Sequence, residues 1–328
     1  MKRVVSFGEL MLRLSPPGEE RFFQTPSLRT YFGGSEANVA ASLAHLGLQS
    51  DYVTRLPANA VGDAALAALR AEGMGVRGVL RGGARMGIYF VESGADLRPM
   101  RVVYDRAHSA FSEIDADEID WDSLLRAAHW LHLSGITPAL GDGPARAAAA
   151  AAASARSLHV PVSVDLNYRP ALWAGRDPRP LVRPLVERCE LLIGNPGAVK
   201  AMLGVNVAEG AGDDALRETA ARLRAELGCR RVAVTRREVI SASEHGWSAV
   251  LDDAGTVHAS QRYQVRVTDR VGGGDSFAAG LVYGLLAGRP APDALRFATA
   301  ASALKLTIPG DFNRVTVEEV DRLLTPTG

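Results

Sequence analysis

The stretch VGGGDSF (Val271–Phe277) sets three consecutive glycines directly before an acid and an apolar helical run. Glycines cost backbone entropy on folding, so Gly272, Gly273 and Gly274 need a physical reason. A glycine run that opens a helix exposes successive N–H groups, and the helix adds its positive end. That pattern holds an anion and stabilises charge developing on a transferred phosphoryl group. A carboxylate inside such a site is self-defeating unless it serves as a base toward the attacking hydroxyl, and phosphoryl transfer calls for such a group, in-line geometry and a metal to offset phosphate charge. Aspartate is also a good helix cap, so Asp275 taken alone reads as either cap or base. A second stretch, YFGGSEANVAASLAHLG (Tyr31–Gly47), sets Gly33 and Gly34 where backbone could approach a ligand closely, with Asn38 able to hydrogen-bond its hydroxyls; by itself it is equally an ordinary turn before a helix.

Other chemistries find little support. No GxxxxGK[ST] run is present, and VGGGDSF is neither GxGxxG nor the opening of the first strand–helix unit, which sets aside Walker-type ATPases and standard dinucleotide enzymes. Of the seven histidines only His129 and His132 lie close together, with no cysteine or further histidine at zinc-ligand spacing, so no metal site is assigned to side chains. Trp121, Trp130, Trp173 and Trp247 read as packing residues.

The elements that must position these motifs come from 328 residues, 47% of them hydrophobic, enough for a large core. Lys+Arg and Asp+Glu number 37 each, so no broad basic surface for nucleic acid is implied and small local ligands are favoured. Cys189 and Cys229 form no CxxC pair, which suits a reducing cytoplasm. The basic start MKRVVSFGELMLRLS is interrupted by Glu9 and Arg13, and no stretch approaches the ~18 apolar residues of a membrane span, so a soluble cytoplasmic protein without a membrane partner is expected. RVVSFGEL, Val160–Asn167, Cys189–Asn195 and Cys229–Thr235 are short β-branched runs that read as buried parallel strands. Helical patterns lie between them at Asn38–Leu46, Ala64–Glu72, Pro144–Leu158, which holds an alanine run, and Asp214–Leu227. This alternation predicts a doubly wound sheet with its ligand crevice at the carboxyl ends of the strands. Leu10–Phe32 and Arg85–Tyr104 alternate apolar and polar residues instead and predict a small antiparallel sheet, either a cover for a substrate or a decorative hairpin.

Taken together, Gly33–Gly47 and Asp269–Gly284 resemble, in order and spacing, the two signatures of the ribokinase-like (PfkB-type) carbohydrate kinases, and the resemblance covers essentially the whole chain. It implies a single three-layer α/β/α sandwich over residues 1–328 with a mostly parallel central sheet, a β-sheet lid from roughly 10–32 and 85–108, and ATP with Mg²⁺. It also implies Asp275 as base, an anion hole from Gly272, Gly273, Gly274 and the Asp275 amide, and a homodimer sharing lid strands. Within the family, GIYFVES, VVYDRAHSAFS, DLNYRPALW and TIPGDFN are similar to the members acting on 2-keto-3-deoxygluconate. That likeness implies a sugar acid held by Gly34, Tyr89, Tyr104, Arg106, Arg169 and Asp311 with Asn38, and a nucleotide near Asn167, Asn195, Thr235, Gly246 and Gly274. A keto-deoxy sugar acid has a carboxylate at one end, which wants arginine, and a primary hydroxyl at the other, which must reach Asp275. The chain departs from the pattern at Arg270, where threonine is usual, at Gly273, where alanine is usual, and at NPGA, which keeps Asn195 but has Ala198 where a metal-linked glutamate is common. VTRREVISASEHGW keeps Thr235 and Gly246 of a nucleotide loop while lengthening what lies between them. The residues leave open fructose, ribose or a nucleoside as acceptor, and also a sugar-acid-binding regulatory paralogue with little turnover. Asp275 argues against the last, since a pure binder has no need of a base.

Overall fold

The computed structural model describes residues 1–207 and 212–325. Nine strands follow one another across the main sheet in the order Thr256–Ala259, Glu244–Asp253, Arg231–Ser241, Leu191–Gly194, Val162–Asp165, Trp130–Ser134, Arg3–Phe7, Gln49–Leu56 and Val79–Arg81, and Tyr263–Arg266 also pairs with Glu244–Asp253. From Arg231–Ser241 to Val79–Arg81 every pairing is parallel; the pairings made by Glu244–Asp253 are antiparallel. Successive side chains leave opposite faces of a strand, and here both faces are covered. Val5, Leu131, Leu133, Leu192 and Val232 pack into one buried cluster, and Val4, Trp130, Leu191 and Ala233 into another on the opposite face. This is the expected α/β/α layering.

The helices form where their small residues allow close packing. Ala147, Ala148, Ala151, Ala152 and Ala155 make one buried stripe of the helix Asp142–Ser157, so the alanine run is a seam against the sheet. The helix Gly273–Leu286 packs on Ala291–Lys305: a Cβ at Gly280 would lie 2.8 Å from Ala298 Cα, and one at Gly284 2.8 Å from Ala294 Cβ. That closeness fixes the axis of the helix carrying Asp275.

A separate four-stranded sheet runs Arg29–Gly33, Met11–Ser15, Ile88–Glu92, Arg101–Asp105. Its central pair is parallel rather than antiparallel as expected, because Met11–Ser15 and Ile88–Glu92 come from two segments entering in the same direction. Its buried Met11, Tyr89 and Val91 rest on Val271, the residue before the glycine run. Arg13 crosses beneath it, nearly inaccessible to solvent, with Nη2 2.7 Å from Asp269 and Nη1 2.9 Å from Asp311. The segment expected as a lengthened nucleotide loop is instead an antiparallel hairpin, with Thr235 opposite Ala249 and Gly246 opposite Glu238. Its alternating TRREVIS continues the strand past the sheet, where Val239 and Ile240 are exposed.

Candidate active site

Gly272 stands at the foot of the helix Gly273–Leu286 with φ 84°, the left-handed region that favours glycine. A Cβ there would also sit 2.3 Å from the Asp311 carbonyl oxygen, so two independent constraints exclude a side chain. Ser302 Oγ donates to the Gly273 carbonyl at 2.7 Å and pins the turn from behind, whereas a Cβ on Gly274 would meet open space. The cradle is fixed on its inner side and open on its outer one.

Asp275 lies in the first turn of this helix, and Gly272 occupies the cap position. The Asp275 carboxylate accepts from Ser35 Oγ (2.9 Å to Oδ1), from Asn38 Nδ2 (2.7 Å to Oδ2) and, at the limit of hydrogen bonding, from Asn167 Nδ2 (3.5 Å), so it does not cap its own helix. Burial raises its pKa above the ordinary carboxylate value, opposed by the Asn38 and Ser35 hydrogen bonds and by the charge of Arg169. Asn167, in the left-handed region at φ 38°, turns its amide toward Ser35 Oγ at 2.6 Å. Three segments distant in sequence therefore meet on one carboxylate.

Among the further acids that line the same cavity are Glu36 and Asp165, which the sequence reading missed. Glu36 accepts from Ser134 Oγ (2.6 Å) and Thr137 Oγ1 (2.8 Å), and burial pushes it up to about 7. Asp165, at the end of its strand, is pushed up to about 7 by burial and then by the charge of Asp275, while its Oδ1 accepts from the Asn167 N–H at 3.0 Å. Glu36 lies inside the Gly33–Gly47 motif and Asp165 two residues before Asn167, so position beside singled-out residues was the available signal.

The cavity holds about 950 Å³ and runs from the small sheet to the long hairpin. At the sheet end Tyr89 and Tyr104 stack with ring centroids 5.9 Å apart, and the Tyr89 hydroxyl donates to Asp311 Oδ1. Arg106 lies over the Tyr104 ring and is ion-paired with Glu9, Nε to Oε2 at 2.8 Å. Gly34 approaches so closely that a Cβ would be 2.0 Å from the Glu9 carbonyl oxygen. At the other end Thr235 Oγ1 donates to the Gly194 carbonyl at 3.4 Å, and Asn195 caps the helix Pro196–Leu203, its Oδ1 accepting from the Ala198 N–H at 3.0 Å. Ala198 itself is packed into the core. Every residue singled out from the sequence for catalysis, sugar or nucleotide lines this cavity except Gly246 and Gly33, whose close approach is to the Asp311 side chain. Gly246 lies within the hairpin, where a Cβ would come within 2.6 Å of Arg262 Nη2 and 2.8 Å of Glu238 Oε2.

Arg169, Arg237 and Arg270 also line the cavity. Among the described residues none of these guanidiniums has an ion-pair partner. Enclosure by the cavity wall, and then the charges of their neighbours, holds Arg237 and Arg270 below the ordinary guanidinium range. His245 beside them is held down to about 4 by burial and by both arginines. Among the described residues no group of three or more His, Cys, Asp or Glu side chains stands together to hold a metal ion.

Buried carboxylate, amide cradle and cationic wall in one cavity are what phosphoryl transfer to a hydroxyl requires. Over residues 1–315 the sequence matches the pfkB family carbohydrate kinases, and the chain belongs to that family. It is 32% identical over 321 residues to a 2-dehydro-3-deoxygalactonokinase of Haloferax volcanii, covering 98% of this chain and 96% of that one. To a 2-dehydro-3-deoxygluconokinase of Bacillus subtilis it is 27% identical, with 96% and 93% covered. The crystal structure of a 2-dehydro-3-deoxygluconokinase from Thermotoga maritima superposes with a TM-score of 0.96 at 44% identity, over 98% of this chain and 99% of that one.

Proposed function

We propose that this chain is an ATP-dependent kinase that transfers a phosphoryl group to the terminal hydroxyl of 2-keto-3-deoxygluconate, giving 2-keto-3-deoxy-6-phosphogluconate. The observation that carries the reading is Asp275, a buried carboxylate whose donors are Ser35 and Asn38, set in the first turn of the helix that the glycine cradle opens. Its unused lone pairs can take the hydroxyl proton while the cradle amides face the migrating phosphoryl group. Magnesium enters as part of the MgATP substrate, held by phosphate oxygens and water, which fits a cavity whose Asn195 oxygen is already used as a helix cap and whose residue 198 is alanine. Arg169, without an ion-pair partner among the described residues, meets the sugar carboxylate; Arg106, balanced by Glu9, orients the sugar beside Tyr89 and Tyr104. The small sheet acts as the lid that excludes water, within a single kinase domain. The reading carries with it a cytoplasmic enzyme and a homodimer sharing lid strands.

The test is coupled ADP release over a panel of 2-keto-3-deoxygluconate, its galacto epimer, fructose and ribose, with wild type and Asp275→Asn. The variant keeps the side chain's size and loses its basicity, so kcat on the sugar acid should fall by about 10²–10⁴ while calorimetric sugar affinity stays near wild type. A near-normal kcat would remove Asp275 from the base role, and a wild type preferring fructose or ribose would overturn the substrate.

A further inference from the structure

The cavity has two electrostatic ends. At the small sheet its charges are matched: Arg13 is held between Asp269 and Asp311, and Arg106 is paired with Glu9. At the hairpin Arg236 is paired with Asp213 and Glu238 with Arg262, yet Arg237 between them has no ion-pair partner among the described residues, and neither has Arg270, two residues before the cradle. Of the other carboxylates of the cavity wall, Asp275 is engaged by Ser35 and Asn38, Glu36 by Ser134 and Thr137 and Asp165 by the Asn167 N–H. Like charges gathered without an ion-pair partner cost folding free energy through mutual repulsion, so the arrangement calls for an anion. A single sugar carboxylate is served by Arg169 alone. Two more guanidiniums from separate elements, flanking a cradle that itself attracts phosphate, match a polyanion carrying several charges.

We propose that Arg237 and Arg270 clamp the nucleotide triphosphate and supply, from this chain's own side chains, part of the charge neutralisation that magnesium gives in solution. The inference rests on the kinase reading and concerns which groups hold the nucleotide. It follows that metal-free ATP should bind this protein with an affinity not far below that of MgATP, because the clamp meets charge that the metal would otherwise cover.

The test is titration calorimetry of wild type, Arg237→Ala, Arg270→Thr and Arg270→Lys with ATP in excess chelator, with ATP in excess Mg²⁺, and with 2-keto-3-deoxygluconate. Charge-assisted hydrogen bonds to phosphate are the strong ones, so Arg237→Ala and Arg270→Thr should each weaken metal-free ATP binding by about tenfold and MgATP binding by clearly less. Arg270→Lys, which keeps the charge, should recover part of the loss, and sugar-acid affinity should hold throughout. Both guanidiniums line the cavity without an ion-pair partner among the described residues, so the melting temperatures of Arg237→Ala and Arg270→Thr should stay level or rise as repulsion is relieved. Unchanged metal-free ATP binding in both of these variants would overturn the clamp, as would losses confined to the sugar acid. A wild type that bound neither form of ATP would overturn the kinase reading itself and the clamp with it.

Discussion

Glu36→Gln should stabilise the folded chain in alkali and leave it unchanged in mild acid. The Glu36 carboxyl is 1% exposed, and burial moves it from an ordinary 4.5 to about 7, against the pull of the Ser134 and Thr137 hydroxyls. Between those two values the folded chain keeps a proton that the unfolded chain has released, so the folded state binds more protons and stability falls as pH rises. The contribution is fully present below the unfolded value and lost on passing through the folded one. At about 1.4 kcal/mol for each pH unit, ionising this group inside the fold costs about 3 kcal/mol. Glutamine reproduces the acceptor and donor of the neutral acid and never ionises. Urea unfolding of both proteins at about pH 4, below the unfolded value, and at about pH 8.5 should give coincident stabilities in acid and a variant more stable by about 3 kcal/mol in alkali. A variant destabilised equally at both pH values would mean that the hydroxyl donors hold Glu36 ionised, and the argument from burial would fail.

Asn38→Ala removes the 2.7 Å donation to Asp275 Oδ2, a hydrogen bond that favours the ionised base. Its loss should raise the Asp275 pKa further, moving the acid limb of the kcat/KM pH profile upward by about one unit; an unmoved limb would show that the bond does not tune the base. Arg13→Met leaves Asp269 and Asp311 buried without their cation and should cost about 3–5 kcal/mol in urea unfolding, partly recovered by adding Asp311→Asn. A loss below about 1 kcal/mol would mean that the carboxylates protonate in place and that Arg13 is not what fastens the small sheet to the cradle loop.

The parts of the fold that the sequence displayed are those where one force acts alone. β-branched runs buried on both faces can only be central strands, and Val160–Asn167 and Cys189–Asn195 bracket the strands found. Helix starts were displaced where a cap acts at a distance: the Asn59 side chain accepts from Val61 and Gly62 and begins a helix at Ala60, ahead of the apolar periodicity at Ala64. Pairing direction in the small sheet was hidden because period-two alternation is the same for parallel and antiparallel partners. The hairpin was hidden because its arginines and glutamate read as a lengthened nucleotide loop between Thr235 and Gly246, although their alternation continues the strand.

The site divides along the same line. Glycines announce themselves, since their entropy calls for a reason such as the positive φ and close approach found at Gly272, and Asp275 is conspicuous for standing after three of them. Glu36, Asp165 and Glu9 do not, because a buried acid has the same letter as an exposed one and its role arises only when Ser134, Asn167 or Arg106 arrives from elsewhere in the chain. Two of them lie within the field of the base, whose charge adds to burial in raising Asp165 and Glu36. Burial raises Asp275, while Arg169 and the Ser35 and Asn38 donors oppose that rise. A triphosphate entering beside it adds negative charge that would favour the protonated, inactive acid. In the proposed reading Arg237 and Arg270 offset that charge as the nucleotide binds, so the groups that hold the phosphates also keep the base ionised, and loss of the clamp should raise the acid limb of kcat as well as weaken ATP binding.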